Sequence, residues 1–288
     1  MPNTIALAKN YTSLLDEVYR SASVTSDLTS PPEMSKAGAN ANEIVYPQIT
    51  VTGLGEYDRN TGYTTGAIDL KWKTAVFNYD RGTKISVDVM DNEESRNIAF
   101  GMAGATLMRD KVAPEADAFA FATLAALENI SKSTDSIDNA AQFLEALLTA
   151  WSKMDEDEVP QENRILYATA TLLNSVMSLD TTKSREILNK FAVKKTVPQA
   201  RFYTAIDLLD GKSTGEEAGH YKKAESGTDI NFMIVHKPAI IKFDKHVASN
   251  IILAESNSDA DADIVKYRKY GLVDGYANKR AGIYMSSK

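Results

Sequence analysis

Gly211-Lys212-Ser213-Thr214 repeats the last four residues of a phosphate-binding loop, where glycine amides cradle phosphates and a lysine neutralises them. That chemistry needs another glycine five residues upstream, where Ile206 stands. It also needs a helix behind it, and the GEEAGHYKK that follows holds two glycines, so a loop tip is expected. Gly53-Leu54-Gly55 opens a dinucleotide fingerprint, but no third glycine or helix follows at the right spacing, and a hairpin tip is expected there too. Asp259, Asp261 and Asp263 have the first spacings of a calcium loop. Its sixth position would be Ile264 instead of glycine and its twelfth Tyr270 instead of glutamate, which leaves a solvated acidic loop. Residues 155–158 are expected to be another. His220, His236 and His246 include no pair spaced for a metal on a helix. His236, after INFMIV, reads as a polar contact at a strand end. No serine occupies a nucleophile elbow, and cysteine is absent, which removes thiol nucleophiles, disulfides and thiolate metal sites together. No catalytic, cofactor-binding or metal-binding residue is assigned, and no cofactor is expected.

The elements that would position any site belong to a chain of 288 residues, 43% hydrophobic and 25% charged, the balance of a globular protein. The length fits one large domain or two small ones. A net charge of −7 argues against a broad cationic face for nucleic acid. No apolar run approaches the ~18 residues of a membrane span. The first residues lack the basic and apolar regions of a signal peptide, so folding in a cytoplasm is expected.

Tyr11, Leu14, Leu15, Val18 and Tyr19 make one stripe of an amphipathic helix. Residues 21–42, with Pro31-Pro32, predict a structureless linker outside any compact core, so that helix and linker form an arm whose partner lies elsewhere. The arm carries Lys9, Arg20 and Lys36 against Asp16, Glu17, Asp27 and Glu33, and is no basic tail. Ile49 and Val51, then Ile68, Leu70 and Trp72, then Ile85, Val87 and Val89 alternate with polar residues at the period of a strand. A glycine-rich GLGEYDRNTGYTTG joins the first two runs, predicting a projecting hairpin that is marginal unless something packs on it.

Asp91 and Glu94 fit a capping box opening a helix through Ile98, Met102, Ala105 and Met108, which Pro114 is expected to interrupt. A second run through Ala118 and Phe121, a polar break over 131–138, and a third helix from Ile137 to Trp151 follow. RILYATA, INFMIVH and AIIKF read as strands, TLLNSVMS as a helix, FYTAIDLL as a strand entering a turn, and 264–285 as two strands around a turn. The class expected is α+β, without repeats and without a βαβ rhythm.

Three stretches resemble one family. They are Tyr79-Asp80-Arg81-Gly82 with Val87-Asp88-Val89-Met90-Asp91 and Glu94; Arg109-Asp110-Lys111-Val112-Ala113-Pro114-Glu115-Ala116-Asp117-Ala118 running to Leu124-Ala125; and Ile230-Asn231-Phe232-Met233-Ile234-Val235-His236 with Ala239-Ile240, then Tyr267-Arg268-Lys269-Tyr270-Gly271 and Gly282-Ile283-Tyr284. In order and spacing they resemble the major capsid proteins of tailed bacteriophages (Caudoviricetes), with the Hong Kong 97-type capsid fold. The resemblance implies an N-terminal arm (1–42), an extended β-hairpin loop (43–80), a peripheral domain with a long spine helix (81–130 and 237–288) and an axial domain (131–236). It implies self-assembly as pentamers and hexamers of an icosahedral head around double-stranded DNA held without sequence-specific contacts. Scaffolding protein and portal would be partners, and the location the virion, assembled in the host cytoplasm with no membrane. Since the arm begins almost at Met1, a separate scaffolding protein is expected rather than a long cleaved region. Some members cross-link a hairpin lysine to an asparagine of another subunit. Lys71 and Lys73 lie on the hairpin, but no matching asparagine or assisting acid is identified, and solvent-facing lysines are expected.

Two other readings fit the sequence. An encapsulin-type nanocompartment shares the fold and encloses protein cargo. A cytoplasmic α+β enzyme with dispersed catalytic residues would be a compact monomer or small oligomer with a ligand pocket.

Overall fold

The computed structural model describes residues 22–30, 36–37, 43–94, 98–179 and 181–288. The amphipathic helix expected over residues 11–19 lies outside them. In chain order, β1 (Lys36–Ala37), β2 (Glu43–Val51) and β3 (Ile68–Val76) precede β4 (Tyr79–Asp88), α1 (Val89–Glu94) and α2 (Ile98–Leu107). A π turn (Met108–Val112) leads into α3 (Ala113–Ala126). Then come β5 (Ser131–Thr134), α4 (Ala140–Glu156), β6 (Arg164–Thr169), α5 (Ala170–Leu179), α6 (Thr182–Asn189) and β7 (Val193–Val197). The rest is strand-rich: β8 (Ile206–Leu208), β9 (Tyr221–Lys223), β10 (Ile230–His236), β11 (Ile240–Ile252), β12 (Ala262–Gly275) and β13 (Ile283–Ser287).

The core lies on both faces of a five-stranded sheet ordered β5-β13-β10-β6-β7. Side chains alternate along each strand. Ile165, Tyr167, Met233 and Val235 therefore meet Phe121 and Leu124 of α3, while Leu166, Ala168, Phe232 and Ile234 meet Phe143, Leu147 and Trp151 of α4. Burial on both faces is why RILYATA and INFMIVH are continuous apolar runs. A second sheet, β11-β12-β4, carries the base of the β2–β3 hairpin through Ile44, Tyr46, Ala75, Ile241 and Leu272.

Several expectations are corrected. Asp88, not Asp91, caps α1, its Oδ1 accepting the Met90 amide at 2.9 Å. Pro114 does not break the helix. Lacking an N–H, it cannot donate to the carbonyl four residues back, and the chain widens into the π turn before resuming with Pro114 in the first turn of α3. The polar break contains β5, which pairs parallel to β13 at the sheet edge, where polar side chains cost little. A βαβ crossover exists: β6 and β7 are parallel, with α5 and α6 between them. The third helix extends to Glu156, and Asp155 on it is not simply solvated, because it accepts from the buried Arg164 Nη2 at 2.6 Å. The two strands of 264–285 belong to different sheets. Within the linker, residues 22–30 pack into the core, with Leu28 buried among the α3 cluster, and Lys36–Ala37 pairs with β2.

Candidate assembly surface

The β2–β3 hairpin is anchored at its base and bare toward its tip. At the base, Tyr46 meets Tyr276 edge to face with centroids 4.9 Å apart. Farther out the strands pair Ile49 with Leu70 and Val51 with Ile68. These side chains remain uncovered: Ile68 is 75% exposed, Val51 63% and Leu70 51%. Lys71 bonds Asp69 on this exposed stretch. At the tip, Asp58 Oδ1 accepts the Asn60 amide at 2.6 Å and the Thr61 amide at 3.1 Å, and Gly62 supplies a φ of 81°. Those amide bonds hold the Asp58 carboxyl below its usual range. Tyr57 and Tyr63 pack together at 4.8 Å, and Leu54 is fully exposed. The tip expected from the Gly53-Leu54-Gly55 spacing is thus present.

Where the hairpin returns to the body, Arg81 ties three elements together. Its Nε donates to Glu115 Oε1 at 2.7 Å, and its Nη2 donates to the Leu209 carbonyl at 2.7 Å and the His220 carbonyl at 3.3 Å. Burial opposes the charge on Glu115, but the His220 imidazole 3.5 Å away and bonds from Arg81 and Tyr79 outweigh it and leave the carboxyl below its usual range. The loop between Leu209 and His220 is closed by the Leu209 amide on the His220 carbonyl at 2.9 Å. Gly211, Gly215, Gly219 and His220 all take positive φ, three of them at glycine, where this costs little. Asp210 Oδ1 accepts the amides of Lys212 and Ser213 at 2.7 and 2.8 Å, and Oδ2 accepts the Ser213 hydroxyl. The Ser213 hydroxyl, with the two amides, pulls the Asp210 carboxyl down to about 2. An internal carboxylate thus holds the amides that a phosphate would need, so Gly211-Lys212-Ser213-Thr214 is a loop tip. Between this loop, β4 and the stretch from the end of α2 through the π turn to the start of α3 lies a cleft of about 390 Å³.

A third arrangement escaped sequence reasoning. Asp117 on α3, fully buried, accepts from Ser23 Oγ (2.8 Å), the Val24 and Thr25 amides (2.9 and 3.1 Å), Thr25 Oγ1 (2.7 Å) and Arg201 Nη1 (3.2 Å). Lys242 Nζ donates to the Thr25 carbonyl and hydroxyl at 2.8 and 2.7 Å. Burial, with the nearby Lys269, pushes the Lys242 ammonium down to about 8. The partners lie 84–94 residues from Asp117 in the chain, and only an alignment of related sequences could have signalled them.

The remaining candidates do not converge. His220 Nδ1 lies 3.5 Å from Glu115, His236 ends β10 as expected, and His246 faces Tyr270 across β11 and β12. Asp263 accepts the Ala254 amide at 2.9 Å, while Asp259 donates its own amide to Asn257. Among the described residues no group of three or more such side chains could hold a metal, and no helix is long and apolar enough to cross a membrane.

No protein-family model and no curated protein sequence matches the chain. Solved structures do. A chain of Mycobacterium phage Che8 is 14% identical with a TM-score of 0.59, covering 92% of this chain and 90% of that one. A chain from the capsid structure of the cyanophage P-SCSP1u is 11% identical with a TM-score of 0.59, covering 92% and 88%. A chain from the virus-like particle of Pyrococcus furiosus is 10% identical with a TM-score of 0.56, covering 95% and 96%. The likeness spans nearly the whole chain, and the fold is the α+β phage capsid fold expected from the sequence.

Proposed function

We propose that the chain is a major capsid protein, a shell subunit without catalytic function that assembles as pentamers and hexamers into an icosahedral head enclosing phage double-stranded DNA. The observation that carries this reading is the hairpin, rooted in the second sheet and bare on its outer apolar face, within a fold shared with capsid chains. Two strands alone are marginal in water, so that face is stable when another subunit covers it. On this reading residues 1–42 are the arm, its 22–30 stretch packed on the body, 43–80 the extended loop, 81–130 and 237–288 the peripheral domain with its spine, and 131–236 the axial domain. Scaffolding protein and portal are its partners, the virion is its location, and assembly takes place in the host cytoplasm. DNA is confined rather than gripped, consistent with a chain of net charge −7.

Similarity to the Pyrococcus furiosus virus-like particle favours a second reading, an encapsulin-type shell around protein cargo. Electron microscopy of the purified protein tests the common part: closed particles or capsomers support it, and a monodisperse monomer at all concentrations refutes it. Particles isolated from the native source separate the two readings, since a head protects DNA from nuclease and a nanocompartment retains protein.

A further inference from the structure

We propose that the chain binds a small monovalent anion of the halide class where the Arg164 guanidinium of β6 stacks on the Trp151 indole of α4. The site is independent of the shell reading above. The Arg164 side chain is 0% exposed. The loop over 157–163 bends around it, and Glu158 and Asn163 take φ values of 56° and 59°, left-handed conformations that cost a residue such as glutamate. Two carbonyls of that loop meet the guanidinium: Pro160 accepts from Nε at 3.0 Å and Val159 from Nη2, which also donates to Asp155 Oδ1 at 2.6 Å. Nη1 is left over. It is buried and donates to no group among the described residues, and the same holds for Trp151 Nε1. A buried donor without an acceptor is costly, and more so on a charged group.

Both orphans fall within reach of one ion. Cζ of Arg164 lies over the Trp151 ring, 4.3 Å from its centre. Bond lengths then keep Nη1 and Nε1 within about 6 Å of each other, and one acceptor about 3 Å from each bridges them. The local charge suits an anion. Lys190 Nζ stands 5.2 Å from the centre of the same indole. His236 lies opposite Arg164 across β10 and β6, and burial, then Arg164 and Lys279, hold its imidazole below its ordinary value. The nearby acids are occupied or outside: Asp155 is shared between Arg164 and Gln161, Asp157 pairs with Lys153, and Glu156 and Glu158 are exposed. The surroundings are otherwise apolar. Phe191 meets the indole edge to face at 5.0 Å, and Met154 and Leu166 belong to the same buried cluster. A doubly charged phosphate would lose more hydration there than one cation and two N–H groups return. A water would need acceptors for its own two hydrogens, whereas a halide needs none.

The test reads Trp151 directly, in the full chain carrying Trp72→Phe. The sequence has two tryptophans, so Trp151 is then the sole indole emitter. At 5% exposure it is shielded from iodide colliding from bulk water, but not from iodide bound beside it. Iodide is titrated in exchange for gluconate at constant ionic strength. The expected result is a saturable loss of emission that added chloride reverses by competition. Arg164→Met, which keeps an apolar stem and removes the donors, should abolish the saturable phase. If that variant lacks a cooperative melt, chloride competition in the Trp72→Phe protein decides alone. Emission untouched by iodide, or quenched in linear proportion to iodide with no effect of chloride, overturns the site. Saturable quenching that survives in a folded Arg164→Met protein overturns Arg164 as its ligand.

Discussion

At the scale of single residues, Asp117 has the most to lose. Its carboxylate is enclosed by five donors, and removing it leaves the Arg201 guanidinium without its carboxylate partner and Lys242 without one of the two carboxylates, Asp117 and Asp244, that favour its charge. Asp117→Ala is expected to destabilise the fold by about 3–5 kcal/mol, read as a lower denaturation midpoint in urea. Lys242 makes stability depend on pH in a stated direction. Its folded pKa, about 8, is below its ordinary 10.5, so between these values the unfolded chain binds more protons and stability rises with pH. Relative to Lys242→Met, the wild type should gain up to roughly 1.4 kcal/mol per pH unit across that window in denaturant titrations. A flat difference would show that Lys242 is not held in this desolvated state. Neither role was legible in the sequence. Ser23 and Thr25 look like linker residues, and nothing local marks them as ligands of a side chain more than ninety positions on.

At the scale of elements, legibility followed burial. Strands β6 and β10 were readable because both faces are covered, and every residue along them is buried. The β2–β3 hairpin was readable for a different reason, since in β3 one apolar face, Ile68, Leu70 and Trp72, is set against one polar face, Asp69, Lys71 and Lys73. Strands β5 and β7 were not: Ser131–Thr134 and Val193–Val197 sit at the sheet edges, where pairing to one neighbour suffices and side-chain pattern is weakly constrained. The Pro114 expectation failed because a π turn spreads the cost of a missing donor over five residues. Deleting residues 56–63 should leave the cooperative melt intact, since the two main clusters contain nothing from the hairpin, while particle formation is lost. A milder variant separates stability from assembly. Ile68→Lys, at a site 75% exposed, should change stability by less than about 0.5 kcal/mol yet abolish closed particles in electron micrographs. Unaltered particles from either protein would remove the hairpin from the interface.

At the scale of the whole molecule, the first described segment belongs to the body. Residues 22–30 are bound by α3, β7 and β11 at once, through Asp117, Lys195 and Lys242. Hydrogen exchange on the unassembled subunit should therefore find the amides of Val24, Thr25, Leu28 and Ser30 protected, Ser30 through the Lys242 carbonyl at 2.9 Å. Fast exchange there would mean the segment docks only in the particle. The sheet order has a consequence in time. β13 lies between β5 and β10, so an early strand and a late strand are joined by one made later still. On the ribosome, β5 emerges and then waits while the 149 positions from Asp135 to Ile283 are added, on the order of 10–30 s at ordinary elongation rates. Until then β5 has no partner strand. On the shell reading, subunits meeting on one polysome would meet before either had a finished surface, and growth would be left to released chains.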